Sequence, residues 1–110
     1  MSTIYLQQSD QLRQILLDNA NKLVVVDFYA DWCGPCKSVG QLFETDLLSR
    51  YKNSLVLVKV DSDNPELESL SNQFEVRGIP RMIFYYKTAI VDDMTGYKPD
   101  AIKAICKTYC

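Results

Sequence analysis

The sequence contains no histidine among its 110 residues. A Ser-His or Cys-His nucleophile pair and a mixed Cys/His zinc site are therefore excluded. No apolar run approaches the roughly 20 residues that span a bilayer, and the opening MSTIYLQQSDQ lacks the basic and apolar segments of a secretory signal. Proton transfer near neutral pH must use a carboxylate, thiol or amine with a shifted pKa.

An excess of charge is also lacking, since the formal net charge is −2. We therefore expect neither nucleic acid nor a membrane as partner. Hydrophobic residues make up 47% of the chain and charged residues 24%, as in an ordinary globular protein. A chain of this length builds one core, so we expect a single domain over residues 1–110. Without a signal segment, the expected location is the cytoplasm.

Apolar patterns predict strands that alternate with helices. Strands are predicted for TIYL, for KLVVVDFYA (22–30) and LVLVKVD (55–61), and for MIFYY and AIVDDM near the end. Helices are predicted from about residue 10, over about 34–51, after Asn64-Pro65 and from Pro99. The last two strands, separated only by Lys87 and Thr88, indicate an antiparallel hairpin. The expected fold is α/β, with a mixed, mostly parallel five-stranded sheet and four flanking helices.

The stretch FYADWCGPCKSVG places Cys33 and Cys36 where the second strand meets the next helix. Free backbone N–H groups and the helix dipole favour negative charge there, so Cys33 is expected to ionise more easily than free cysteine. Cys36 follows one turn later on the same face. Gly34 permits the turn, and Pro35 suits an early helical position. The motif therefore indicates an exposed thiolate with a second thiol behind it.

Two charged residues fall within predicted buried strands. Asp27, six residues before Cys33, should stay protonated above the usual aspartate pKa of about 3.9. It could then exchange protons with Cys36. Lys59 could couple to Asp27 electrostatically. The alternatives are a poorly buried strand edge for Asp27 and a half-exposed strand for Lys59.

Pro80 closes the stretch RGIP just before the hairpin, where a proline marks a bend at the start of a strand. The sequence leaves open whether the Ile79–Pro80 bond is cis.

The chain resembles thioredoxins over essentially its whole length. The two halves of the resemblance are VVDFYADWCGPCK and KVDSDNPELESLSNQFEVRGIP. A bare C-x-x-C would be a weak signal. D-F-x-A-x-W-C-G-P-C-K followed by G-I-P is a specific one.

The resemblance implies a thioredoxin fold and a protein dithiol–disulfide oxidoreductase that reduces client disulfides. Cys33 would be the attacking thiolate and Cys36 the resolving thiol of a redox-active disulfide. Asp27 would be the buried proton acceptor, with Lys59 nearby. The client-binding surface would consist of Trp32, Gly34, Pro35, Gly78, Ile79, Pro80 as a cis-proline, and Gly96. No metal and no bound cofactor are expected.

The resemblance also implies partners. A flavoprotein that uses NADPH, thioredoxin reductase, would restore the dithiol, so the chain would take part in electron transport and cell redox homeostasis. Clients in the family include ribonucleotide reductase, peroxiredoxins and methionine sulfoxide reductases. We expect a monomer, with Cys110 able to link two copies on oxidation.

Several positions depart from the thioredoxin pattern. Tyr29 replaces a tryptophan, which predicts a modest change in packing. Gln41 replaces a proline, which predicts a weaker helix kink. Lys87-Thr88 replaces Asn-Gly, which predicts a looser hairpin turn. Arg81 replaces a threonine, and we hypothesise that it lowers the Cys33 pKa or favours acidic clients.

Three other functions stay open at this point. A zinc site would need Cys33, Cys36, Cys106 and Cys110 as its four ligands. An adaptor with the same fold would bind partners without turnover, although a missing cysteine would have supported it better. An oxidase or isomerase of secretory compartments commonly has histidine between its cysteines.

The other two cysteines have several interpretations. Cys106 lies on the apolar face of the last helix, as a small core residue would. Cys110 is expected to be exposed, open to intermolecular disulfides or regulatory oxidation. A Cys106–Cys110 disulfide would require the last turn to fray, because side chains four apart in a helix point in parallel.

Overall fold

Five strands form one mixed sheet in the computed structural model, which describes residues 3–110. The first two residues of the predicted domain lie outside the described part. The strands are β1 (Thr3–Tyr5), β2 (Leu23–Tyr29), β3 (Leu55–Asp61), β4 (Arg81–Tyr86) and β5 (Ala89–Thr95), arranged as β1-β3-β2-β4-β5. β1 and β2 run parallel to β3, whereas β4 is antiparallel to β2 and β5. The predicted sheet is confirmed.

The described residues form four helices, as predicted. They are α1 (Gln11–Asp18); a long helix made of α2 (Gly34–Leu42), a π-helical turn (Phe43–Leu47) and α3 (Leu48–Arg50); a 3₁₀ turn (Pro65–Leu67) leading into α4 (Glu68–Gln73); and α5 (Pro99–Tyr109). The Asn64 side chain accepts a hydrogen bond from the Glu66 N–H at 3.0 Å, so the predicted cap is present. None of these helices has the length and apolar character needed to cross a membrane.

The π-helical turn gives the long helix an irregularity that the sequence did not predict. Val39, Phe43, Leu47 and Tyr51 recur at steps of four, which exceeds the 3.6 residues of an α-helical turn. A wider π turn keeps such residues on one side. Phe43 and Leu47 accordingly lie fully in the core. The replacement of a proline by Gln41 predicted a weaker kink, and the helix instead contains a π turn that begins two residues later, at Phe43.

β2 lies between two apolar clusters, one on each face of the sheet. Leu23 and Val25 belong to the cluster beneath α2 and α5, while Val24 and Val26 belong to the cluster beneath α1 and α4. No residue from 23 to 28 is more than 1% exposed. Alternation of side chains therefore directs Asp27 toward the long helix, on the face of Leu23 and Val25.

The hairpin between β4 and β5 has a tight two-residue turn. Tyr86 pairs with Ala89, and the intervening Lys87 and Thr88 have φ angles of 54° and 65°. Type I′ turns require this left-handed conformation, which usually favours Asn and Gly. The looser turn predicted from the missing Asn-Gly is therefore wrong, because the strands impose the turn on unfavourable residues.

Candidate active site

Cys33 and Cys36 form a disulfide beyond the carboxyl end of β2. Cys33 is the N-cap of α2, and its Sγ accepts a hydrogen bond from the Cys36 N–H at 3.2 Å. Gly34 and Pro35 occupy the first positions of the helix and are exposed. Cys33 is 5% exposed and Cys36 2%, so both residues are buried in the disulfide, unlike the exposed Cys33 that the motif indicated.

The loop before β4 approaches this disulfide. The Ile79–Pro80 peptide bond is cis, and the Ile79 carbonyl oxygen lies 4.0 Å from Cys33 Sγ. The Gly96 N–H donates to the Pro80 carbonyl at 2.7 Å, with a φ of 94° that glycine adopts easily. At Gly78 an added Cβ would lie 3.3 Å from the Thr95 side chain, so a larger residue would be crowded. Chain segments far apart in sequence thus meet beside the cysteines.

Trp32 projects from the surface next to the redox pair. Its side chain is 71% exposed, and its indole N–H donates to the Asp63 carboxylate at 2.9 Å. A cavity of about 260 Å³ is lined by Trp32, Gly78 and Ile79, among others. Asp63 was not predicted as part of the site, because no local pattern links it to a tryptophan 31 positions earlier.

Asp27 is fully buried, and neither carboxyl oxygen has a hydrogen-bond partner among the described residues. Lys59 faces it from β3, with Nζ 3.9 Å from Oδ2 and a side chain only 11% exposed. Burial raises the pKa of Asp27 to about 6, and the Lys59 charge opposes part of that rise. The alternative predictions, a poorly buried strand edge for Asp27 and a half-exposed strand for Lys59, are therefore wrong.

Tyr29 completes the surroundings of Lys59. The Lys59 Nζ lies 4.2 Å from the centre of the Tyr29 ring, a cation–π contact. Burial and then the nearby carboxylates raise the pKa of Tyr29 to about 12, so its hydroxyl stays neutral. Tyr29, Lys59 and Cys36 line a cavity of about 290 Å³. No pattern in the sequence predicts this contact beyond the altered residue type at position 29.

Arg81, which follows the cis-proline, is engaged by β5. Its guanidinium lies 3.3 Å from the Asp93 carboxylate and 3.4 Å from the Thr95 hydroxyl. Asp93 therefore offsets part of the Arg81 charge. An effect of Arg81 on Cys33 or on client choice stays a prediction.

The four cysteines form two separate pairs. Cys33 and Cys36 are disulfide-bonded, whereas Cys106 is fully buried in the core and Cys110 is half-buried against it. The expected exposure of Cys110 is thus only partial. Within residues 3–110, no three His, Cys, Asp or Glu side chains are grouped to hold a metal ion.

Comparison with known proteins agrees with this geometry. The thioredoxin family model matches residues 3–108. A thioredoxin of Mycoplasmoides gallisepticum is 42% identical over 89 residues, which cover 81% of this chain and 83% of that protein. Thioredoxin H4 of Arabidopsis thaliana is 36% identical over 93 residues, covering 82% and 76%. The crystal structure of a reduced Schistosoma mansoni thioredoxin pre-protein matches all of both chains, with a TM-score of 0.84 and 34% identity.

A mixed five-stranded sheet with a C-x-x-C disulfide at a helix start defines a protein dithiol–disulfide oxidoreductase. The chain belongs to the thioredoxin family. Thioredoxins act as protein-disulfide reductases, and the redox-active pair of this one is Cys33 and Cys36.

Proposed function

We propose that this thioredoxin reduces client disulfides with Cys33 as nucleophile, Cys36 as resolving thiol and Asp27 as proton acceptor. The position of Cys33 at the N-cap of α2, where the Cys36 N–H meets its sulfur at 3.2 Å, is the main support. A helix N-terminus and a donated hydrogen bond both favour a thiolate at this sulfur. Cys36 lies one turn further along the helix, and we propose that it attacks only after Cys33 has reacted.

The reaction consists of two thiol–disulfide exchanges. The Cys33 thiolate attacks one client sulfur, so that a mixed disulfide forms and the other client sulfur leaves as a thiolate. Cys36 then loses its proton and attacks Cys33 Sγ. The Cys33–Cys36 disulfide forms, the mixed disulfide breaks and the second client thiolate leaves. Two electrons have passed to the client.

Asp27 is proposed to accept the Cys36 proton. A carboxyl group with a pKa of about 6 binds and releases protons near neutrality. Lys59 lies 3.9 Å from Asp27, and both Lys59 and Cys36 line the 290 Å³ cavity. The cavity thus brings Cys36 near Lys59, the ion-pair partner of Asp27, and Lys59 would stabilise Asp27 while it is ionised.

The client-binding surface is proposed to surround Cys33. Its members are Trp32, Gly34, Pro35, Gly78, Ile79, Pro80 and Gly96. The exposed Trp32 ring and the 260 Å³ cavity beside it offer apolar contact. The cis-proline loop, with the Ile79 carbonyl 4.0 Å from Cys33 Sγ, offers backbone groups for an extended client segment.

Further properties and partners are proposed from family membership. We propose a single domain over residues 1–110, monomeric and cytoplasmic, with no bound cofactor. A thioredoxin reductase that uses NADPH would return it to the dithiol, and peroxiredoxin, ribonucleotide reductase or methionine sulfoxide reductase would be its clients. Family membership and the Cys33–Cys36 disulfide support the proposed thioredoxin reductase.

Recycling is tested by mixing the oxidised chain with NADPH and thioredoxin reductases of bacterial and animal origin. Consumption of NADPH in proportion to the oxidised chain is expected, and a Cys33→Ser variant should cause none. If no reductase consumes NADPH while dithiothreitol still reduces the chain, the proposed electron source is wrong.

A further inference from the structure

Cys110 lies at the opposite end of the interior strands from the active site. Cys110 Sγ is 3.6 Å from the carbonyl oxygen of Ser54, which directly precedes β3. Cys33 follows the other end of the neighbouring parallel strand, β2. Each of these strands has seven residues, so their two ends are about 20 Å apart. The second pair is therefore too distant to exchange directly with the first.

The two thiols of this second pair lie in the same part of the core, because Cys110 packs against the apolar cluster that contains Cys106. Interaction between the two thiols, with burial adding to the effect, raises the pKa of Cys106, and the same interaction lowers that of Cys110. Cys106 is fully buried, whereas Cys110 is half-buried and reachable from solvent. Cys110 is thus the more acidic and more accessible thiol, with a second thiol directly behind it.

The backbone at this point leaves room for a bond between them. Residues four apart in a helix have Cα atoms about 6 Å apart, within the range of about 4.4 to 6.8 Å that disulfides span. α5 ends at Tyr109, and Cys110 is bound to it through one hydrogen bond, from its N–H to the Cys106 carbonyl at 2.8 Å. If Cys110 alone rotates and loses that hydrogen bond, its side chain is no longer held parallel to that of Cys106, as it would be in a regular helix.

We propose that Cys106 and Cys110 are a second redox-active dithiol, which a hydroperoxide oxidises to an intramolecular disulfide. The Cys110 thiolate attacks the peroxide, so the O–O bond breaks and Cys110 becomes a sulfenic acid. The Cys106 sulfur then attacks Cys110 Sγ. An S–S bond forms, the S–O bond breaks and the hydroxide takes the Cys106 proton to leave as water. With hydrogen peroxide, two thiols and one peroxide give one disulfide and two waters.

Oxidation of Cys110 then has one specific product, a disulfide with Cys106. With Cys106 one helical turn earlier, the Cys110 sulfenic acid is trapped within the chain before it meets a second copy or a second peroxide. This differs from the two separate roles considered above, in which Cys106 is only a core residue and Cys110 forms disulfides between molecules. The second pair also reacts independently of Cys33 and Cys36.

The test uses the full-length Cys33→Ser/Cys36→Ser variant, in which Cys106 and Cys110 are the two thiols. After hydrogen peroxide treatment it should stay monomeric, lose the mass of two hydrogen atoms and regain both thiols with dithiothreitol. Trypsin cleaves after Lys103 and Lys107, so peptides 104–107 and 108–110 should appear as one disulfide-linked species. The same variant with Cys110→Ser added should retain its remaining thiol.

Wild-type chain is treated in parallel, so that the result does not depend on how the variant folds. It should lose the mass of four hydrogen atoms and yield the same linked peptides. A Cys110-linked dimer, a Cys110 that gains oxygen while Cys106 stays a thiol, or two unreacted thiols would each overturn the proposal.

Discussion

At the scale of single residues, Asp27 couples stability to pH. Its pKa rises from the ordinary 3.8 to about 6 in the folded chain, because burial disfavours the ionised form. The folded state thus holds the proton more tightly than the unfolded state does. The contribution of this group to the free energy of unfolding is fully present below about pH 4. It is lost as the pH rises through about 6, and the loss amounts to about 3 kcal/mol.

Asp27→Asn removes the ionisable group but keeps its shape. We expect the free energy of unfolding to increase by roughly 2 to 3 kcal/mol at about pH 8, and by little at about pH 3, where the carboxyl is protonated in both states. Urea unfolding at the two pH values measures this. Asp10→Asn, at an exposed side chain that makes no capping hydrogen bond, is the matched control. An equal gain at both pH values would contradict the account.

Lys59→Met tests the electrostatic partner. The positive charge 3.9 Å away lowers the Asp27 pKa, so its removal should raise that pKa above about 6. Carbon-13 NMR titration of the Asp27 carboxyl measures the shift. Lys52→Met makes the same charge change at an exposed loop position and should leave the pKa in place. A lower Asp27 pKa in Lys59→Met would show that the coupling has been assigned the wrong sign.

At the scale of elements, the β4–β5 turn retains unfavourable residues. Lys87 and Thr88 both have left-handed backbones, which cost side-chain-bearing residues of this type roughly 1 to 2 kcal/mol each. Replacing the pair with Asn-Gly should raise the free energy of unfolding by roughly 1 to 2 kcal/mol. Urea unfolding compares it with an Ala-Ala pair, for which no such gain is expected. A gain from Ala-Ala of the same size would point to side-chain effects instead.

Gly96 connects β5 to the cis-proline loop through a left-handed backbone. Gly96→Ala should destabilise the fold by about 1 kcal/mol through backbone conformation alone, since an added Cβ meets nothing within 4 Å. Gly34→Ala is the matched control, because its Cβ also meets nothing but its φ is ordinary. Thermal unfolding of both variants measures the difference. Equal stability of the two would argue against strain at Gly96.

Much of the element order was predictable because burial imposes strong periodicity. The run LVLVKVD predicted β3 with the ends that the structure shows, and Pro99 predicted the first residue of α5. The π turn was not predicted, because its apolar residues also fit a helix pattern read at steps of three or four. The left-handed Lys87-Thr88 turn was misjudged because local preference was weighed above the pairing that the strands impose.

At the scale of the whole molecule, the site was predictable where one segment contains it. Cys33, Cys36 and the buried Asp27 all follow from one strand and the helix after it. Contacts between distant segments did not follow. Trp32 with Asp63 and Arg81 with Asp93 depend on side-chain directions that no local pattern determines.

Attack of Cys33 on client disulfides is tested by following the reduction of insulin disulfides by dithiothreitol. Precipitation of the freed insulin chains is followed for wild type, Cys33→Ser and Cys110→Ser, which makes the same change outside the redox pair. Wild type and Cys110→Ser should accelerate the reduction, whereas Cys33→Ser should leave it at the rate of dithiothreitol alone. Acceleration by Cys33→Ser equal to wild type, or none by wild type, would contradict this role of Cys33.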